Sequence, residues 1–147
     1  MNVVQYQKRL KSFKVEDNIN KASKENSEEI VNLNRLNLSK GLNSLDQIVG
    51  RYSAFTAAWA KKFKPNKPKT FGSLYNFNWT GSFINGIFIT YQESKIKFSS
   101  KGMGNAKKSR FITSNKLLGL SKAKGKIINN SIIIPTLRKL FKSHISK

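Results

Sequence analysis

Apolar residues recur along this chain at two spacings, one helical and one of strand type, and the changes between them divide it into elements. In residues 1–15, Tyr6, Leu10 and Phe13 fall at helical spacing and predict a short amphipathic helix. Asp17 to Asn26 is polar and reads as a linker. A second helix is predicted from Asn26 or Ser27. Glu28 and Glu29 would sit in its first turn, where carboxylates complement the helix dipole, with Ile30, Leu33, Leu36 and Leu38 along its apolar side and Gly41 as its stop. After a mixed stretch holding Leu45, Ile48, Val49 and Gly50, the residues Tyr52, Phe55, Trp59 and Phe63 return to spacings of three and four and predict a helix over 53–63. Lys64-Pro65-Asn66-Lys67-Pro68-Lys69 then breaks regular structure and reads as an exposed basic loop.

The spacing next changes to two. From Ser82 to Tyr91, Phe83, Ile87, Ile89 and Tyr91 share one parity while Ile84, Phe88 and Thr90 share the other, so both faces are expected to be partly buried. Gln92-Glu93-Ser94 reads as a turn, and Lys95-Ile96-Lys97-Phe98 alternates cation and hydrophobe as a strand with one wet face should. A β-hairpin over about 82–98 follows. Ser99 to Arg110 reads as a second basic loop, with a short helix near 114–120 after it. Pro135 suits a first helical turn. Beyond it, Leu137, Leu140, Phe141 and Ile145 form an apolar stripe opposite Arg138, Lys139 and Lys142. The predicted fold is α+β: N-terminal helices, a small antiparallel sheet centred on the hairpin, and a C-terminal amphipathic helix.

Composition sharpens this picture. The 147 residues suit one domain with a detachable arm, and 38% hydrophobic with 11% aromatic residues is too much for a disordered polycation. With no cysteine there are no disulfides or thiolate metal sites. No apolar stretch approaches the ~20 residues that cross a bilayer, and the first residues lack the pattern of a secretory signal. A protein of the cytoplasm, or of a particle assembled there, is expected. Charge divides the chain: residues 1–46 hold eight Lys/Arg and six Asp/Glu, whereas residues 47–147 hold twenty Lys/Arg and one acid, Glu93. We therefore expect a near-neutral helical arm over 1–46 and a strongly basic α+β core over 47–147, facing something anionic.

That inventory argues against catalysis. His144 is the sole histidine, expected to face solvent near a helix end, and Glu93 stands alone where a metal-dependent nuclease would need several carboxylates. No catalytic residue, metal or cofactor is expected. Gly102-Met103-Gly104 beside Lys101 is compatible with a phosphate-binding backbone nest or with a flexible turn. Basic runs carry the stronger signal: Lys61, Lys62, Lys64, Lys67 and Lys69, then Lys101, Lys107, Lys108 and Arg110, then Lys122, Lys124 and Lys126. Lysines outnumber arginines 23 to five. Lysine is a hydrated point charge suited to phosphate without fixed geometry, whereas arginine reads guanine bidentately. The expected partner is nucleic acid, DNA in particular, contacted through its backbone. The aromatics Phe71, Tyr75, Phe77 and Trp79 alternate between basic loop and strand; they read as core, with stacking on unpaired bases as the alternative.

Residues 38–91 carry a resemblance. Leu38-Ser39-Lys40-Gly41-Leu42, then Gly50-Arg51-Tyr52-Ser53, a basic proline-containing stretch, and Asn78-Trp79-Thr80-Gly81-Ser82-Phe83 follow in this order. The order resembles small virion-morphogenesis or tail-completion proteins of tailed bacteriophages, particularly phages of the Bacteroidetes, in which a Thr-Gly step opens the central sheet. Lys95 to Phe98, Leu118-Gly119-Leu120 and Ile134-Pro135-Thr136-Leu137 fall where similar proteins have a second strand, a Gly-Leu segment and a closing helix. Trp79 before Thr80 departs from the usual Asp-Thr-Gly, and the chain is far more basic than that class. The resemblance implies a non-enzymatic structural protein of the virion, at the head–tail neck or capsid interior, meeting other virion proteins and itself as an oligomer. The alternative is a cellular sequence-independent nucleic-acid-binding protein of ribosomal or nucleoid type; a membrane-active role for the 135–145 helix ranks below both.

Overall fold

The computed structural model describes residues 2–67, 69–77, 81–92, 95–102 and 106–146, with backbone alone at residues 92 and 106–108. Helix α1 (Val3–Ser12) begins at a capping box in which the Asn2 side chain accepts from the Gln5 N–H at 2.9 Å and the Gln5 side chain accepts from the Asn2 N–H at 3.2 Å. No residue of α1 is buried; it docks through Phe13, whose ring meets Phe141 edge-on at 5.1 Å. The segment expected to be a linker is helix α2 (Val15–Glu25). Its buried residues are Ala22 and Ser23, and small side chains of this kind pack closely without producing an apolar stripe.

Helix α3 (Ser27–Ser39) starts where expected, with Glu28 and Glu29 in its first turn. Gly41 ends it at φ +76°, where a Cβ would come within 2.7 Å of both the Leu74 Cβ and the Tyr75 carbonyl oxygen, so glycine is required on two counts. The helix lies between two cores. Val31 and Leu38 pack with Phe83, Ile87, Ile112 and Leu117, while Ile30 packs with Ala22, Ile128, Ile132 and Ile133. Both clusters combine residues from 1–46 with residues from 47–147. The helix expected over 53–63 is α4 (Ala54–Phe63).

Gly81, at φ +81°, leads into a single helical turn, α5 (Ser82–Asn85). Strands β1 (Ile87–Gln92) and β2 (Lys95–Ser100) then form the expected antiparallel hairpin, in the register Ile87↔Ser100, Ile89↔Phe98 and Tyr91↔Ile96. Its turn at Glu93 and Ser94 lies outside the described residues. Two details differ from expectation. Because of α5, β1 begins at Ile87 and not at Ser82. Phe88 and Thr90 are exposed, leaving one face of β1 wet. Partly buried Ile89 and Phe98 touch both cores and make the hairpin their common wall.

The second basic loop is largely regular: β2 runs to Ser100, and helix α6 occupies Ala106–Ser114. The helix expected at 114–120 is instead irregular, because Lys116 and Gly119 adopt positive φ values of 50° and 127°. Buried Asn34 on α3 ties this stretch down, donating from Nδ2 to the carbonyls of Leu117 (3.1 Å) and Gly119 (2.9 Å). Helix α7 (Lys122–Ile128) is capped by Ser121 and continues through a π-helical turn at Asn129–Ile133 into α8 (Ile134–Ile145). Pro135 thus stands in the first turn of α8, as expected, but within a longer helical run. The wider turn brings Ile128, Ile132 and Ile133 together into one core.

Candidate nucleic-acid interface

Helix α4 is built by a short local code. Ser53 caps it, its Oγ accepting from the Thr56 N–H at 3.1 Å, and Lys61 and Lys62 lie in its last turn, where cations complement the dipole. Its buried residue is Ala60, with Thr56 and Ala57 half-buried beside it. Phe55, Trp59 and Phe63, four residues apart on one side of the helix, are 78%, 40% and 53% exposed. The Trp59 and Phe63 rings pack at 4.9 Å between centroids. The Lys62 ammonium stands 5.2 Å from the Phe63 ring centre.

A half-polar knot holds this helix in place. Tyr52, just before it, is buried and donates from its hydroxyl to Asn76 Oδ1 at 3.0 Å. The same hydroxyl accepts from the Asn76 N–H at 3.2 Å. Backbone bonds from Tyr52 N to Ser73 O and from Gly72 N to Tyr52 O, both 2.9 Å, set residues 72–73 alongside. Phe71, 69% exposed, therefore stands beside the start of α4. The Tyr52 and Tyr75 rings meet edge-on at 4.9 Å, and a side chain at Gly50 would strike Tyr75. Burial pushes the Tyr52 phenol above its ordinary value, against the opposing pull of backbone N–H groups at Asn76 and Phe77.

The lysines of this region divide. Lys61, Lys62, Lys64 and Lys67 are exposed and close in sequence at one helix end. Lys69 turns inward instead: it is 7% exposed, its Nζ donates to Asn76 Oδ1 at 2.6 Å, and it lies over the Tyr52 ring. Burial lowers its pKa from the ordinary lysine value. Its part is to hold the knot together, and it leaves the outward-facing set. Of the aromatic row, Tyr75 and Phe77 are half-buried and run inward through Phe83, Phe71 points outward, and Trp79 lies outside the described residues.

Other basic residues lie on different elements. Lys101 is exposed after β2 and Arg110 is exposed on α6; the side chains of Lys107 and Lys108 lie outside the described residues. Lys122 and Lys126 are exposed on helix α7. Lys124 is half-buried and pairs with Asp46, whose carboxyl is held below its ordinary range by hydrogen bonds from Lys124 and then Ser121. Asn37 also donates to Asp46, at 3.1 Å. A second ion pair joins Glu28 to Arg35 at 2.7 Å. That arginine also reaches the carbonyls of Ile84 (3.1 Å) and Asn85 (3.2 Å), a structural role that no spacing in the sequence announced.

The remaining candidates have ordinary structural partners. His144, expected to face solvent, is half-buried: its Nε2 lies 3.0 Å from Ser12 Oγ and 3.1 Å from the Arg9 carbonyl, and its ring packs on Phe13. Gly102 packs closely against the Ser82 backbone, and its N–H is taken up by Ser100 Oγ, to which it donates at 3.1 Å. Met103 and Gly104 lie outside the described residues. Among the described residues no three His, Cys, Asp or Glu gather as a metal site, and no helix is long and apolar enough to cross a membrane. No family model, no curated protein and no solved structure matches this chain.

Proposed function

We propose that this chain is a non-enzymatic protein that binds the nucleic-acid backbone without reading its sequence, led by the end of α4 and the turn after it. The observation that carries this reading is the exposed group Lys61, Lys62, Lys64 and Lys67, set in a 101-residue segment with twenty cations and one acid. Such a field is relieved by a polyanion, and lysines on flexible stems suit phosphates at varied positions. DNA is the expected form. The setting proposed with it is a bacteriophage particle, at the head–tail neck or capsid interior, and it rests on the resemblance in residues 38–91. There the chain would meet other virion proteins and copies of itself. A cellular nucleic-acid-binding role is the second reading, supported by the same lysines.

Titrating random-sequence duplex DNA across a salt series tests the binding. The expected log–log slope is about −0.9 per phosphate neutralised. Replacing Lys61, Lys62, Lys64 and Lys67 by alanine should flatten it by about one unit for each lysine that had engaged a phosphate. No binding by the wild type at low salt would sink the reading and leave an acidic protein as the partner. Light scattering on the same samples separates the settings: a defined oligomer supports the particle, a monomer the cellular role.

A further inference from the structure

We infer that the α4 face takes unpaired strands, with bases stacking on Phe55 and on the packed Trp59–Phe63 pair while the adjoining lysines hold the phosphates. This rests on the nucleic-acid reading above and specifies its ligand; it holds equally in a particle or in a cell. Seven of the ten residues of α4 are alanine or aromatic, yet its three large rings are 40–78% exposed. Rings turned to water along one helix side make a contact surface, and their chemistry narrows the occupant.

The Trp59 and Phe63 rings pack on each other and so form one platform, with Phe55 one helical turn before it. A base stacks on such a platform only through a face that its own neighbours have left. In a duplex the base faces are covered by their neighbours and only edges reach the grooves, so aromatic side chains find no face to stack on. Lys62 beside Phe63 lets a base and its phosphate be engaged together, and Lys61, Lys64 and Lys67 continue the cationic track. The same four lysines disfavour a second copy of this face as the occupant, by like-charge repulsion.

The test compares a labelled oligothymidylate with a duplex of equal length, at matched salt, for wild type, Phe55→Ala, Phe63→Ala and the four-lysine variant. Wild type should prefer the single strand. Each phenylalanine variant should fall about tenfold in single-strand affinity, as removal of one stacking partner does, with duplex binding and salt slope unchanged. Both rings are exposed, so the melting temperature serves as a check that the fold persists. If the phenylalanine variants bind oligothymidylate as wild type does while the lysine variant loses both ligands, stacking is refuted and backbone binding stands. If wild type binds neither ligand, both readings fall. Phenylalanine variants that instead lose affinity for phosphatidylglycerol vesicles, or lose mass in light scattering, would assign the rings to lipid or to a second copy and overturn the inference.

Discussion

Helices α3 and α4 invert what their sequences suggest. Five of thirteen residues in α3 are Ile, Val or Leu, yet five of its side chains are buried, two of them asparagines. In α4 seven of ten residues are Ala, Phe or Trp, and the buried one is Ala60. Burial is a property of position between layers, and α3 sits between two cores, whereas neither core takes a described residue of α4. Phe55 and Phe63 therefore keep more than half of their surface in water, whereas the amides of α3 are used inside, on backbone carbonyls and Asp46.

The largest expected difference is in stability. Leu38→Ala and Ile30→Ala should each cost about 3 kcal/mol in denaturant unfolding, since both side chains are fully buried. Phe55→Ala and Phe63→Ala should stay within about 0.5 kcal/mol. Equal effects on the two helices would break the comparison and return α4's rings to a structural role. Next, Asn34→Ala should cost about 2 kcal/mol, by stranding the carbonyls of Leu117 and Gly119. A neutral result would mean that the buried, unpartnered Asn34 Oδ1 cancels the gain from its two donated bonds. The smallest effect is pH-dependent. The Asp46 carboxyl is lowered in the folded state, so its ties to Lys124 and Asn37 stabilise above its ordinary value of 3.8 and are lost as pH falls through the lowered one. The melting advantage of wild type over Asp46→Asn should therefore be level near neutrality and shrink in acid; an advantage that grew in acid would reverse the assignment.

Periodicity read the α3 and α4 helices and the hairpin from sequence because each carries its signal in large side chains. Helix α2 escaped because it docks with Ala22 and Ser23, which have too little apolar surface to mark a stripe. The strand start was misplaced because Phe83 and Ile87 share a parity and also lie four residues apart, a spacing that one helical turn and a strand entry satisfy equally well. The lysine cluster is legible in the sequence, but not that Lys69 turns inward: it finds Asn76 and the Tyr52 ring across a turn, partners invisible to composition. The spacing marks Tyr52, Phe55, Trp59 and Phe63 as one stripe, yet Tyr52 is buried while Phe55 and Phe63 face water; that division depends on Ala60 and the Tyr52–Asn76 bonds, and no local pattern encodes it.

The π turn at Asn129–Ile133 has a consequence for chain length. The Ile134 N–H reaches back five residues to the Asn129 carbonyl, so this run holds one residue more than an α-helix would need between the same two packed ends. Pro135 follows at once, and in an unbroken α-helix its ring would press on the carbonyl four residues before it. Length and composition are thereby coupled. A chain one residue shorter here could wind regularly and keep Ile128 and Leu137 on their present sides, provided position 135 was no longer proline.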